Sequence, residues 1–304
     1  MSHPSASLAD GSLPRPPLVV GIVGAGLMGA GIAQVAAVAG HTVRLTDVAP
    51  GAAEAAREAI AARLAAARDR GRISAELASD ALERVSAVDD LASLADAAIV
   101  VEAVIEDLAI KRELFAHVEE VVTDDAILAS NTSSLPITHI AGRTRNAARV
   151  IGTHFFSPVP AMALCEIVRG SATSDATVAR TVAFVESLGK EPIVVSRDDP
   201  GFVTSRLITV LTQEAARIVE SGLATPEDVD RACVLAFGHA LGPLATLDLT
   251  GIDVAVNAGA AIREASGDPR FEPPFLLKRM VAAGRLGRKS GRGFFDYDRE
   301  VSRG

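Results

Sequence analysis

The 304 residues give room for two domains or one large one, with ample core. With 49% hydrophobic and 22% charged residues, the composition is that of a soluble globular protein. The net charge of −8 argues against a nucleic-acid binder, which needs a basic face, while leaving open a local basic pocket for a phosphorylated ligand.

The tail, residues 1–17, is rich in Ser, Pro and Gly, has one arginine (Arg15) and lacks the apolar core of a signal peptide, so it reads as disordered. Cys165 and Cys233 have neither metal-site spacing nor a disulfide framework. Together these features suggest a cytoplasmic protein in a reducing compartment, with no resident metal.

Leu18 to Val23 is an apolar strand pattern that runs into Gly24, Gly26 and Gly29, spaced G-x-G-x-x-G, and then an apolar helix pattern. A second strand, Thr42 to Thr46, ends at Asp47. This context is what dinucleotide binding requires: a tight turn at Gly24, an unobstructed approach at Gly26, and close helix–strand packing at Gly29. The helix N-terminus offers amides to a pyrophosphate, and Asp47 can accept from a ribose diol. Leu18 to Gly40 has no charged residue and is long enough for a membrane helix, but its six glycines fit a strand–turn–helix better.

Gly51 to Arg70 is alanine-rich and predicts a long exposed helix on which Arg63 and Arg70 share a face. That face is either a basic edge for ligand phosphates or a solvated surface. Ala97 to Val104 reads as a buried strand, Asp107 to Val122 as a helix, and Ala126 to Ser130 as a short strand leading into Asn131-Thr132-Ser133-Ser134. Ligands of an open parallel sheet lie beyond the strands' carboxyl ends, which puts Glu106 and Ser133 near the cofactor.

Arg149 to Thr153 predicts a strand with His154 at its carboxyl end, and Leu164 to Val168 a strand containing Glu166. A hairpin centred on Pro160 sets His154 opposite Glu166, where a carboxylate would fix the imidazole tautomer and raise its basicity. Ser174 to Leu188 reads as a helix and Pro192 to Ser196 as the last strand.

The pattern breaks at Asp198-Asp199-Pro200-Gly201, which sets the domains at 18–198 and 199–304. Beyond it the chain is helical: Phe202 to Glu220, a helix capped at Thr225 with Pro226 at its first position, Ala245 to Glu264, and Phe275 to Ala283. So small a helical core calls for burial against the first domain or a second subunit. The fold class is therefore α/β, a Rossmann-type N-terminal domain followed by an all-helical C-terminal one.

A dinucleotide enzyme that moves a hydride from an alcohol needs a base for the hydroxyl proton. Of six histidines, His154 alone combines a strand-end position, a small-residue turn and a carboxylate opposite. A lone histidine is more often structural, so it is the combination that selects this one.

The chain resembles the L-3-hydroxyacyl-CoA dehydrogenases, most closely the bacterial 3-hydroxybutyryl-CoA dehydrogenases. The stretches that carry the resemblance, from Leu18 to Tyr297, are GIVGAGLMGAGIA, VEAVIEDLAIKRELF, ASNTSSLPIT, GTHFFSPVPAMALCEIVRG, PGFVTSRL, GPLATLDLTGID and GRLGRKSGRGFFDY. The resemblance implies reversible NAD-dependent oxidation of a 3-hydroxyacyl-CoA and a homodimer paired through the helical domain.

By motif position it implies His154 as base, Glu166 as its partner, and Ser133 on the substrate oxygen close to the nicotinamide. Gly24, Ala25, Gly26, Leu27, Met28, Gly29, Asp47, Glu106, Lys111 and Lys289 fall at cofactor positions. Arg63 and Arg70 fall near positions that touch CoA. Two departures stand out: Ser205 in PGFVTSR occupies the place of an active-site asparagine, and Ser157 in HFFSP that of an asparagine near the nicotinamide. A serine still donates but reaches less far. The residues also admit a dehydrogenase of a small non-CoA hydroxy acid or polyol on the same fold, or a non-catalytic NAD-binding relative.

Overall fold

The computed structural model describes residues 17–297; the N-terminal tail expected to be disordered lies, but for Pro17, outside the described residues. These residues divide between Asp198 and Asp199 into two compact units.

The first unit is built on one sheet of strands β1 (Val19–Val23), β2 (Thr42–Thr46), β3 (Val85–Ala87), β4 (Ile99–Glu102), β5 (Ile127–Ser130), β6 (Val150–Phe155), β7 (Leu164–Arg169) and β8 (Glu191–Val195). Its helices are α1 (Leu27–Val38), α2 (Ala52–Asp69), α3 (Ala75–Glu83), α4 (Leu108–Val121), the single turn α5 (Ile137–Ile140) and α6 (Asp175–Ser187). The strand order is β3-β2-β1-β4-β5-β6-β7-β8. The pairs from β3 to β6 are parallel, β7 runs antiparallel to β6, and β8 is parallel to β7. The order reverses at β1, which pairs with both β2 and β4, and such a switch point opens a ligand crevice at the carboxyl ends of the strands.

Central strands covered on both faces must be apolar throughout, and β4, β5 and β6 are buried at every residue. Val20, Ile22, Val43, Leu45, Val101 and Ile151 form the middle of the core. The helix expected to be exposed is amphipathic instead: Ala53, Ala56, Ile60 and Leu64 of α2 pack inward. Helix starts follow their side-chain caps, Ser74 for α3, Asp107 for α4 and Ser174 for α6.

The second unit is helical: α7 (Thr204–Glu220), α8 (Pro226–Phe237), α9 (Pro243–Thr250), α10 (Ile252–Ser266) and α11 (Phe275–Ala282). Thr225 caps α8 as expected, accepting from the Asp228 N–H with Pro226 in the first turn. The single helix expected over Ala245 to Glu264 is two. Gly251 stands between α9 and α10 at φ +102°, a backbone state closed to most L-residues, so the chain turns there. Ala216, Leu244, Leu247, Ile252 and Leu277 form the core of this unit.

Candidate active site

The glycine loop joins β1 to α1 at the switch point. Gly24 adopts φ +102°, and a Cβ there would come within 2.5 Å of the Ala103 carbonyl oxygen. A Cβ on Gly29 would overlap the Gly24 carbonyl oxygen, so α1 lies against the strand end only because Gly29 lacks one. Gly26 faces open space, with nothing within 4 Å of where its Cβ would be. It is also the N-cap of α1, whose first turn has no acidic residue and no side-chain cap. Of its neighbours in the loop, Leu27 is exposed, while Ala25 and Met28 are half-buried against the core. Open space at a bare helix N-terminus suits an anionic group.

Asp47, just past β2, holds the loop in place. Its Oδ2 accepts the Ala25 N–H at 2.7 Å and its Oδ1 the Ala49 N–H at 2.9 Å. Each carboxylate oxygen keeps a second lone pair, so the half-buried Asp47 can still accept from a ribose diol. The residues therefore fit a dinucleotide with an unphosphorylated adenosine ribose, NAD.

Beyond β4 and β5 lies a buried charge network. Glu102 ends β4 at 1% exposure; its Oε1 accepts the Lys111 ammonium at 2.5 Å and the Val104 N–H at 2.7 Å, and its Oε2 accepts the Ser130 hydroxyl at 2.6 Å. Lys111, itself 1% exposed, also faces Glu106 Oε2 at 3.3 Å. Glu106 Oε1 accepts from the Thr132 hydroxyl (2.6 Å), the Ser134 hydroxyl (3.0 Å) and the Ser133 N–H (3.2 Å). Burial pushes the Glu106 carboxyl up, but Lys111 and the hydroxyl donors outweigh it and hold it below the ordinary carboxylate range.

Glu106 thus shapes the loop that presents the exposed Ser133, while Lys111 stands behind Glu106 rather than at the surface. Sequence reasoning missed Glu102 and Asn131. The latter's Oδ1 accepts the Phe155 N–H at 3.0 Å, tying the Ser133 loop to the end of β6. The signals were a carboxylate inside an apolar strand and an asparagine at a strand terminus.

The hairpin register is as expected: His154 of β6 pairs with Glu166 of β7. His154 Nδ1 lies 2.7 Å from Glu166 Oε2, with the side chains 8% and 0% exposed. The Phe156 ring packs against the imidazole in a tilted arrangement, 4.4 Å between centroids. A carboxylate against Nδ1 assigns the ring proton to that nitrogen and leaves the basic lone pair on Nε2.

Ser157 is exposed in the turn that follows. Arg63 and Arg70 differ in their surroundings. Arg63 Nε donates to Gln34 Oε1 at 2.7 Å and pins α2 to α1, whereas Arg70 is exposed at the end of α2. Burial lowers the Arg63 pKa. Beside this contact a cavity of about 550 Å³ opens between α1, α2, the Pro160 turn and the end of α6, with Arg72 and Lys190 among its lining residues. In the second unit, Ser205 lies half-buried in the first turn of α7, and Lys289 pairs with Asp253 at 2.6 Å.

Residues 19–199 match the model of the 3-hydroxyacyl-CoA dehydrogenase NAD binding domain, and residues 201–297 that of the 3-hydroxyacyl-CoA dehydrogenase C-terminal domain. The 3-hydroxybutyryl-CoA dehydrogenase of Mycobacterium tuberculosis is 44% identical over 279 residues, 91% of this chain and 98% of that protein. A probable 3-hydroxybutyryl-CoA dehydrogenase of Bacillus subtilis is 42% identical over 281 residues, 92% of this chain and 98% of its own length. The crystal structure of (S)-3-hydroxybutyryl-CoA dehydrogenase from Ralstonia eutropha superposes with a TM-score of 0.89 at 38% identity, covering 93% of this chain and all of that one. With both domain models matched in sequence order on the glycine loop, the His154–Glu166 hairpin and the helical unit, the chain belongs to the 3-hydroxyacyl-CoA dehydrogenase family.

Proposed function

We propose that this protein is an NAD-dependent dehydrogenase that reversibly oxidises a (3S)-3-hydroxyacyl-CoA to the 3-oxoacyl-CoA, with short chains such as 3-hydroxybutyryl-CoA favoured. The observation that carries this reading is the His154–Glu166 pair, set at the carboxyl end of β6 in a sheet whose switch point fits a dinucleotide. When bound, NAD supplies the acceptor for the C3 hydride. His154 Nε2 takes the C3 hydroxyl proton, and Glu166 stabilises the imidazolium that results. In the reverse direction the protonated imidazole returns that proton. Ser133 donates to the substrate oxygen, and Ser205 contributes a second, shorter donor where the wider family often has an amide.

Gly24 through Gly29, Asp47, Glu106, Lys111 and Ser157 make up the cofactor site of the first unit, while Lys289 of the second is a cofactor contact by its motif alone; for Lys111 the geometry favours a role through Glu106. The cavity beside α2, with Arg72 in its lining, supports an acyl-CoA substrate, for which Arg63 and Arg70 are the further candidate contacts on that helix. Among the described residues no helix is long and apolar enough to cross a membrane. Two free, buried thiols fit a reducing cytoplasmic setting. Leu207, Leu235 and Phe237 of the helical unit are 67%, 72% and 70% exposed, which supports a homodimer formed through that unit.

The test is NADH oxidation with 3-oxoacyl-CoAs of graded chain length, with free acetoacetate alongside. A maximum at acetoacetyl-CoA carries the proposal. A preference for free acetoacetate would move the assignment to a dehydrogenase of non-CoA hydroxy acids, a reading favoured by the tie of Arg63 to Gln34. NADH binding without any turnover would make the chain a non-catalytic relative.

A further inference from the structure

The turn between His154 and Glu166 is poor in its own hydrogen bonds. Pro158 and Pro160 have no N–H, and within the turn only the Ala161 and Met162 N–H groups bond back, both to the Pro158 carbonyl, at 2.9 and 3.2 Å. Two further turn carbonyls are taken by a side chain from elsewhere. Lys190 Nζ donates to Val159 O and to Met162 O, each at 2.7 Å.

Lys190 lies between α6 and β8 and is 8% exposed, and no carboxylate among the described residues pairs with it. Burial lowers its pKa. The Cys165 thiol, which acts on it electrostatically, is itself pushed up by burial and stays neutral. A methionine would fill the same channel without the desolvation cost of a cation, but it could not hold two carbonyls.

On its other side the turn is seated on α1. Val159, 3% exposed, sits so close to Gly31 that a Cβ there would lie 2.9 Å from the valine side chain. The next residue along, Glu191, donates its N–H to Ala163 O at 2.9 Å and registers β8 against β7.

We infer that Lys190 is a positioning residue: its ammonium clamps the Ser157–Ala163 turn and so fixes Ser157 and the turn end of the His154–Glu166 hairpin. It touches neither of the paired groups and acts through the turn backbone. A turn released from the clamp keeps the strand register of β6 and β7 but lets the strand end carrying His154 wander by fractions of an ångström, which a reacting geometry does not tolerate. The catalytic consequence rests on the dehydrogenase reading above.

Lys190→Met, Lys190→Gln and Lys190→Arg test it, with hydrogen exchange, NADH affinity and kcat per NADH-binding site measured for each. In Lys190→Met, amide exchange across residues 155–166 should rise about tenfold while residues 19–47 stay unchanged. NADH Kd should stay within about twofold, and kcat per site should fall about tenfold. The primary isotope effect with NADH deuterated at C4 should grow, which mere loss of folded protein cannot cause. Lys190→Arg, which keeps two donors, should recover most of the loss. If Lys190→Met does not fold, Lys190→Gln is read by the same measures. Unchanged exchange over 155–166, or a wild-type isotope effect with kcat per site within about twofold of wild type, overturns the inference. A wild-type protein inert toward acetoacetyl-CoA would refute the dehydrogenase reading instead, and the exchange pattern would still decide whether Lys190 holds the turn.

Discussion

The same chemical change, glycine to alanine, should have opposite consequences at two positions of one motif. At Gly29 the added Cβ would overlap the Gly24 carbonyl oxygen, a backbone atom that cannot rotate away, and would lie 3.4 Å from Ile22. Helix propensity favours alanine there by about 1 kcal/mol. Relieving the overlap, however, requires α1 to move off the end of β1, and overpacking against a backbone atom falls at the upper end of the usual range, about 3 kcal/mol. The net expectation for Gly29→Ala is a loss of about 2 kcal/mol. In a domain of this size that lowers Tm by about 4–8 °C.

At Gly26 nothing lies within 4 Å, and the backbone, φ −67° and ψ −171°, suits any residue. Gly26→Ala should therefore lower Tm by only about 1–4 °C, an N-cap change of about 0.5–1 kcal/mol. What it should remove is the close approach of the pyrophosphate, weakening NADH at least about tenfold, or 1.4 kcal/mol. Thermal unfolding without ligand and fluorescence titration with NADH measure the two quantities separately. A Gly26→Ala protein that binds NADH like wild type would refute the placement of the pyrophosphate. A Gly29→Ala protein with unchanged Tm would refute the packing argument.

For the proposed proton relay, His154→Gln and Glu166→Gln should each retain NADH affinity and lose about 10²–10⁴ in kcat, measured with acetoacetyl-CoA; near-normal turnover in either would remove that residue from the mechanism. Asp47 should make NADH the preferred cofactor over NADPH by about two orders of magnitude in kcat/KM, since a carboxylate facing a 2′-phosphate costs several kcal/mol. Asp47→Asn keeps an acceptor for the Ala25 N–H and should narrow that ratio, which equal values for the wild type would contradict.

His41 gives a pH-dependent stability. Its Nδ1 accepts the Leu18 N–H at 3.2 Å, its Nε2 meets Ser187 Oγ at 2.9 Å, and burial holds its pKa below 6.5. The folded state therefore binds fewer protons than the unfolded chain once pH falls below about 6.5, and stability drops by up to about 1.4 kcal/mol per pH unit until the folded pKa is reached. Urea unfolding at several pH values should show a shallower acid slope in His41→Asn, and an identical slope would count against the buried neutral imidazole. If the proposed homodimer forms through the exposed Leu235 and Phe237, replacing both with charged residues should lower the mass seen by light scattering from two chains to one.

What could be read directly from the residues was whatever depends on short-range pattern. The glycine spacing, the strand-end acid and the hairpin register all follow from local periodicity, and Pro160 fixed the centre of the hairpin closely enough to pair His154 with Glu166. The three-residue β3 was not legible, because Val85–Ala87 is too short to show alternation, and neither was α3 before it. The interruption at Gly251 was masked by apolar residues that keep helical spacing on both sides.

The polar contacts that shape the site were hidden for a different reason. Glu102 with Ser130, Asn131 with Phe155, Arg63 with Gln34, and Lys190 with Val159 are all partners far apart in the chain, joined by no periodicity. Arg63 shows the consequence: a basic side chain on a helix face was read as either a ligand contact or a solvated surface, and its guanidinium also docks α2 on α1, which neither reading contained.

The position of α1 explains why these hidden contacts matter to function. Its first turn offers the open, uncapped N-terminus at Gly26, and little more than one turn later Gly31 provides the notch that receives Val159. The strand carrying His154 continues directly into that turn. The proposed site for the cofactor phosphates at Gly26 and the seat of the proposed catalytic hairpin at Gly31 are thus two points on one short helix. The Asn131–Phe155 bond adds a second tether, from the Ser133 loop to the same strand end. Loosening either tether should change the geometry of hydride and proton transfer without weakening the cofactor's grip. A glycine-loop substitution should do the reverse, which is why affinity and turnover should separate cleanly between the two classes of variant.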